Sequence, residues 1–145
     1  MTGIAHNLQH TRERIAAACA AAGRSTDNVT LLAVSKTFGA EAVREAHAAG
    51  QRAFGENYVQ EALDKIAALA DLRADLEWHL IGPLQSNKTR VVAESFDWVH
   101  SVDRLRIAER LSAQRPEGLP PLQVCLQVNV SGEASKSGVP PAEVA

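Results

Sequence analysis

The sequence predicts an α/β protein built on a parallel sheet. Short apolar segments typical of buried strands alternate along the chain with segments in which apolar residues recur at helical spacing. The segments predicted as strands are 29–35, 52–56, 77–82, 97–102 and 122–130. Because helices of about ten residues or more separate them, consecutive strands have to run parallel, joined by right-handed crossovers.

The helical segments are predicted from their own spacing and end signals. Ile4, Leu8, Ile15 and Cys19 recur at intervals of four or seven residues, and Gly23 follows where a left-handed helix cap would lie. Further helices are predicted over 40–49, from Tyr58 onward, over 87–95, over 103–114 and from Pro140 onward. Strands and helices together make five βα units.

Two architectures accommodate five βα units: an open doubly wound sheet and a (β/α)8 barrel of the TIM type. The number of units by itself favours the open sheet. The sequence stops at Ala145, however, within the first turn of a predicted helix and without a capping glycine. Since a complete barrel takes roughly 250 residues, we expect residues 1–145 to form a single domain, a partial barrel truncated at its carboxyl end.

Composition and charge indicate the class of partner. Hydrophobic residues make up 46% of the chain and charged residues 22%, as in ordinary globular proteins. The formal net charge of -2 gives no basic surface for nucleic acid or an anionic membrane, so we expect a small-molecule partner. The first residues lack the apolar core of a signal peptide, and the longest apolar run, 15–22, is too short to span a bilayer. We therefore predict a cytoplasmic location, with Cys19 and Cys125 as buried, reduced thiols.

Lys36 is the first candidate functional residue. In a parallel α/β protein, functional groups gather at the carboxyl ends of the strands. Lys36 directly follows the apolar run 31–35, which is hydrophobic enough to be covered on both faces. A lysine amine held beside such apolar walls is a nucleophile that can form a Schiff base with an aldehyde. The alternative is a structural lysine that extends its ammonium group to solvent.

Lys88 belongs to a second candidate site. Residues 82–89, GPLQSNKT, match the phosphate-binding pattern G-x-x-x-x-G-K-[ST] except that Asn87 replaces the second glycine. Against this reading, Pro83 has no amide to donate to a phosphate, and no later strand ends in an evident magnesium-binding aspartate. A P-loop-like nucleotide site at Lys88 is therefore an alternative hypothesis.

His79 and Glu56 each allow a structural and a functional interpretation. His79 alternates with Trp78 and Leu80, which turns it to one face of the sheet as either a core histidine or a site residue. Glu56 could orient a ligand beside Asn57, or it could cap the helix that begins near Tyr58. The residue pattern alone leaves both alternatives open.

Four segments near the predicted strand ends form a recognisable set. They are AVSKT at 33–37, FGENYVQE at 54–61, EWHLIGPLQSNK at 77–88 and the serine- and glycine-containing stretch at 131–138. In this order, and over residues 4–145, the chain resembles the pyridoxal phosphate homeostasis proteins, single-domain proteins related in fold to the alanine racemase barrel. The resemblance implies a (β/α)8 barrel of PLP fold type III, with pyridoxal 5'-phosphate (PLP) as the cofactor.

The resemblance also implies roles for four residues. Lys36, at the end of the first strand, would carry PLP as an internal aldimine. Asn57 would lie beside the cofactor ring, and His79 and Gly82 would line the pocket. The family's phosphate-binding loops follow its seventh and eighth strands, so we expect residues 1–145 alone to bind the cofactor weakly.

The implied function is PLP binding for vitamin B6 and amino-acid homeostasis. Efficient catalysis is not implied, because the family lacks the second domain that supplies a catalytic residue in the related racemases, and Tyr58 is this chain's only tyrosine. A PLP-dependent amino-acid racemase or lyase is the alternative within the same cofactor class. Amino acids would be further ligands in either case.

Overall fold

The computed structural model describes residues 3–145, which form a parallel sheet flanked by helices. Residues 1 and 2 of the expected domain lie outside the described part. The strands are β1 Ala33–Val34, β2 Ala53–Glu56, β3 Glu77–Leu80, β4 Trp98–Val102 and β5 Gln123–Leu126. Their spatial order is β1-β2-β3-β4-β5, and every neighbouring pair is parallel.

This sequential order confirms the predicted fold class. An open doubly wound sheet reverses its strand order at a switch point, whereas a barrel adds each strand next to the previous one. With right-handed crossovers and sequential order, the connecting helices all lie on one face of the sheet. The described residues therefore correspond to part of a (β/α)8 barrel, with four complete βα units and a fifth strand.

The α-helices are close to the predicted segments. They are α1 Gly3–Ala22, α2 Ala40–Ala48, α3 Val59–Ala68, α4 Thr89–Ser95 and α5 Leu105–Gln114. Gly23 has φ +66°, as expected for a left-handed helix cap. Two predicted helices differ: the segment from 87 begins as a 3-10 turn, Ser86–Lys88, and the segment after Pro140 forms a 3-10 turn, Pro141–Glu143.

The hydrophobic core lies between the sheet and the helices. Phe54, Trp78 and Val99 point from three central strands toward the helices, and each is at most 1% exposed. Helices α2 to α5 contribute the facing residues Val43, Ala62, Val92 and Ile107. Burying such side chains stabilises each by roughly 1.5–3 kcal/mol relative to exposure. This packing holds the central strands, and therefore the residues at their carboxyl ends, in fixed positions.

The edge strands are shorter than predicted. The segment 29–35 forms a strand only at Ala33–Val34, and the segment 122–130 only at Gln123–Leu126. In the described sheet each of these strands has one neighbour, so its other edge makes no ladder hydrogen bonds. Val34 is 49% exposed and Leu126 46% exposed, which leaves apolar surface at both edges.

Two further predictions concern burial and membranes. Cys19 is buried as predicted, whereas Cys125 is only partly buried, because β5 is an edge strand; neither forms a disulfide. No helix in residues 3–145 has the length and apolarity needed to cross a membrane. Within the same residues, no cluster of three or more histidine, cysteine or acidic side chains is arranged for metal binding.

Candidate functional site

The carboxyl ends of β1, β2 and β3 bring Lys36, Asn57 and Gly82 to one edge of the sheet. Val34 pairs with Gly55, and the amide of Ser35 donates to the carbonyl of Gly55 at 2.9 Å. The Ile81 amide donates to the Glu56 carbonyl at 2.9 Å, which places Gly82 beside Asn57. We call these three residues the ligand edge.

Asn57 and Gly82 approach each other very closely. A Cβ added to Gly82 would lie 2.3 Å from the backbone oxygen of Asn57, so no other residue type fits at position 82 without moving the backbone. The side-chain oxygen Oδ1 of Asn57 is buried and has no hydrogen-bond partner among the described residues. A buried acceptor of this kind is rare, and it marks a position where a ligand could donate a hydrogen bond.

Lys36 extends from the same edge into open space. The Ser35 hydroxyl bonds to Glu56 on the helix side of the sheet, and Lys36 follows in the turn after β1, bonded to none of these groups. Lys36 is exposed and has no ion pair or hydrogen bond within residues 3–145. The apolar cover expected on both faces of this strand is present only in part: Ser35 is buried and Ala33 packs against the core, whereas Val34 is 49% exposed. The Lys36 amine is therefore accessible.

His79 lies on the face of β3 away from the helices and is 7% exposed. Its Nε2 lies 2.6 Å from Glu77 Oε1, its Nδ1 lies 2.8 Å from His100 Nε2, and its ring stacks on Trp98 at 5.4 Å. We call these four residues the inner-face cluster. His79 pairs in register with Gly55, which precedes Asn57 by two residues. His79 therefore lies within the sheet, about two residues from the ligand edge toward the amino ends of the strands.

The hydrogen-bond pattern of the inner-face cluster assigns its protons. Because a carboxylate only accepts, Nε2–H of His79 donates to Glu77, and one proton lies in the hydrogen bond between His79 Nδ1 and His100 Nε2. Burial, followed by the charge of His79, lowers the pKa of His100 below its ordinary value. His100 is thus held mainly neutral near pH 7.

Glu56 does not cap helix α3, whose N-cap is Tyr58, so the cap interpretation was wrong. It is fully buried and accepts a very short hydrogen bond from Ser35 Oγ. Lys65, on α3, donates to both carboxylate oxygens of Glu56 at 3.0 Å and to the Ser35 carbonyl at 2.7 Å. The sequence did not predict that Lys65 is buried. Lysine is rarely buried unless it is paired, and the sequence does not show that Glu56 is its partner.

Glu61 extends this buried network to the next residue of the β1–α2 loop. Its Oε1 accepts from Lys65 Nζ at 3.0 Å and from the backbone amide of Thr37 at 2.5 Å. These two hydrogen bonds, from Lys65 first and then from Thr37, lower the pKa of Glu61. We call Ser35, Glu56, Glu61 and Lys65 the clamp. Their hydrogen bonds fix the backbone at Ser35 and at Thr37, the residues before and after Lys36.

The segment around Lys88 does not have the geometry of a P-loop. Lys88 ends a 3-10 turn and is exposed, and α4 has only seven residues. The Thr89 hydroxyl, which a P-loop would direct at magnesium, donates to the Ser86 carbonyl at 3.1 Å and accepts from Arg110 at 3.2 Å. Thr89 therefore has a structural role.

A wide cavity of about 1110 Å³ lies at the opposite end of the sheet, where β2 to β5 begin. Arginines line it, but their guanidinium groups are already occupied by backbone carbonyls: Arg12 binds that of Ala49, Arg73 that of Leu76 and Arg115 that of Phe96. The ligand edge, with an accessible amine and an unsatisfied acceptor, is the stronger candidate for chemistry.

Comparison with known proteins finds close relatives of this chain. The chain is 67% identical over 144 residues to the pyridoxal phosphate homeostasis protein of Pseudomonas aeruginosa and 60% identical over 145 residues to that of Escherichia coli. Each alignment covers 99% of this chain and 62% of the relative's length. The chain therefore spans less than two thirds of these relatives.

Solved structures give the same relationship. PipY of Synechococcus elongatus, solved without PLP, superposes with a TM-score of 0.81 at 47% identity, covering 96% of this chain and 60% of PipY. PipY solved with PLP bound gives a TM-score of 0.79 at the same identity, covering 96% of this chain and 59% of PipY. The family model for the alanine racemase N-terminal domain matches residues 4–145. The chain accordingly belongs to the alanine racemase N-terminal domain family.

Proposed function

We propose that this protein binds pyridoxal 5'-phosphate at the ligand edge and serves cytoplasmic vitamin B6 and amino-acid homeostasis. The observation that carries the proposal is the convergence of Lys36, Asn57 and Gly82 on one edge, which has an accessible amine and a buried acceptor without a partner among the described residues. The names of the relatives and the PLP-bound structure of PipY support the choice of ligand.

The residues of the ligand edge suit this cofactor. Lys36 Nζ would attack the aldehyde carbon, and a carbon–nitrogen double bond would form with the loss of one water molecule. Asn57 Oδ1 would accept a hydrogen bond from the ligand, and the missing side chain at Gly82 leaves the Asn57 backbone in place. When bound, PLP supplies an electron sink for bonds to the α-carbon of an amino acid.

A carrier is a better fit than a racemase or lyase. Efficient catalysis on an amino acid needs a proton-transferring group beside the reacting carbon. His79 is held between Glu77 and His100, and Tyr58 is 57% exposed with no side-chain hydrogen bond within residues 3–145. We therefore propose binding and delivery of PLP, with amino acids as exchange partners, as the main role.

Absorbance titration with PLP tests the proposal. The wild-type protein should develop the visible band of a lysine-linked cofactor, and Lys36→Ala should lose it. Lys88→Ala and Lys136→Ala serve as matched controls, since both lysines are exposed and follow other strands. A band that survives in Lys36→Ala and disappears in either control would overturn the assignment.

A further inference from the structure

Helix α3 contributes two residues to the clamp that hold the backbone on both sides of Lys36. Lys65 binds the carbonyl of Ser35, the residue before Lys36, at 2.7 Å. Glu61 binds the amide of Thr37, the residue after Lys36, at 2.5 Å. Lys65 and Glu61 are joined to each other at 3.0 Å, so a single ion pair spans the three-residue segment.

Thr37 has a backbone conformation that needs such support. Its φ is +67°, and it is the only non-glycine residue with positive φ in the described part of the chain. For a β-branched side chain this region is sterically unfavourable and persists only where surrounding contacts impose it. The Glu61 carboxylate, bonded to the Thr37 amide, is a contact of this kind.

The clamp itself is firmly anchored. The Lys65 side chain is 6% exposed and that of Glu56 is fully buried, and Glu56 also binds the Ser35 hydroxyl. Each of these groups is bonded within the clamp, and none is bonded to Lys36. The buried pair of Lys65 and Glu56 therefore anchors the clamp, and the partly exposed Glu61 is attached to it through Lys65.

We propose that Glu61 and Lys65 are positioning residues for the Lys36 amine. By fixing Ser35 and Thr37, they hold the turn in which Lys36 Nζ is presented at the ligand edge beside Asn57. This inference rests on the proposed function, because the presented amine matters only if it captures the aldehyde of PLP. The clamp would speed covalent capture without contributing to noncovalent binding of the cofactor ring.

The test compares two ligands in four proteins. Stopped-flow absorbance measures the rate at which the protein, freed of cofactor, forms the lysine-linked band with PLP. Equilibrium titration with pyridoxamine 5'-phosphate, which has no aldehyde, measures binding without capture. The proteins are wild type, Glu61→Ala, the conservative Glu61→Gln, and Asp64→Ala, which removes an exposed acid from the same helix outside the clamp.

Glu61→Ala should slow capture about tenfold, since it removes a charge-assisted hydrogen bond from the Thr37 amide. Its affinity for pyridoxamine 5'-phosphate should stay within about twofold of wild type. Glu61→Gln keeps an acceptor for the amide and should recover most of the rate, and Asp64→Ala should match wild type. Hydrogen exchange of the Thr37 amide should accelerate in Glu61→Ala.

Several results would overturn the proposal. Capture by Glu61→Ala at the wild-type rate would do so, as would an equal loss of capture and of pyridoxamine 5'-phosphate binding, which would indicate a purely structural effect. Unchanged exchange at Thr37 would also contradict it. If wild type forms no band that depends on Lys36, the proposed function itself fails, and this outcome is distinct from failure of the clamp.

Discussion

The two sides of the sheet edge around Lys36 differ in how fully their polar groups are satisfied. On the helix side, Lys65 Nζ has four acceptor contacts, to the Ser35 carbonyl, both oxygens of Glu56 and one of Glu61. On the other side, Lys36 has no ion pair or hydrogen bond within residues 3–145, and Asn57 Oδ1 is buried without a partner. The satisfied side fixes the backbone, and the unsatisfied side is available to a ligand.

The largest effect is expected from Lys65→Met, which removes the ammonium group that bonds to Ser35, Glu56 and Glu61 on the helix side. The substitution leaves Glu56 as an unpaired carboxylate with a fully buried side chain, and we expect a loss of about 3–5 kcal/mol in the free energy of unfolding. Urea denaturation measures it. Arg44→Met is the matched control: its pair with Asp71 is bidentate but exposed and screened by solvent, so the loss should be much smaller than in Lys65→Met. Equal losses in the two variants would contradict the comparison.

A smaller effect is expected from Gly82→Ala on the ligand edge. The new Cβ would lie 2.3 Å from the Asn57 oxygen, and backbone cannot move aside as a flexible side chain can. Overpacking of this kind costs about 1–3 kcal/mol of stability, and displacement of Asn57 should weaken PLP binding. Thermal unfolding and cofactor titration measure the two effects.

Gly118→Ala provides the control for this prediction. No atom lies within 4 Å of a Cβ built at Gly118, and its φ is not positive. Stability and cofactor binding should both be close to wild type. If Gly82→Ala behaves like Gly118→Ala, the close approach between Asn57 and Gly82 is not needed for the site.

The smallest effect concerns pH and the inner-face cluster. The pKa of His100 is lowered in the folded state, chiefly by burial and then by His79. When the pKa of a histidine is lower in the folded than in the unfolded protein, the neutral side chain stabilises the folded state. This stabilisation is complete above the pKa in the unfolded protein, about 6.5, and is lost as the pH falls toward the lower pKa in the folded protein. His100→Gln should therefore flatten the pH dependence of stability on the acid side of about pH 6.5. His10→Gln, at an exposed position on α1, should leave the wild-type slope; equal slopes for wild type and His100→Gln would contradict the prediction.

Much of the fold could be predicted because its signals are local. The alternation of apolar segments with helical patterns predicted the parallel α/β class. The predicted carboxyl ends of three strands placed Lys36, Asn57 and Gly82 on one edge of the sheet. Strand lengths were overestimated at β1 and β5, since hydrophobicity does not show whether a strand has one neighbour or two.

The clamp and the inner-face cluster could not be predicted in the same way. Glu61 and Lys65 have the four-residue spacing of a helical ion pair, which was a usable signal, but that spacing usually indicates an exposed pair. Burial of Lys65 depends on Glu56, which lies in a different element. Similarly, the contact between His79 and His100 depends on the register between β3 and β4, which the sequence does not reveal.

The most direct test of the central claim is to locate the lysine that captures PLP. The holoprotein would be reduced with borohydride, digested, and its pyridoxyl-labelled peptide identified by mass spectrometry. The account predicts the label on Lys36, whose amine has no partner among residues 3–145, and none on Lys65, whose amine is surrounded by acceptors. A label on Lys65, Lys88 or Lys136, with Lys36 unmodified, would contradict it.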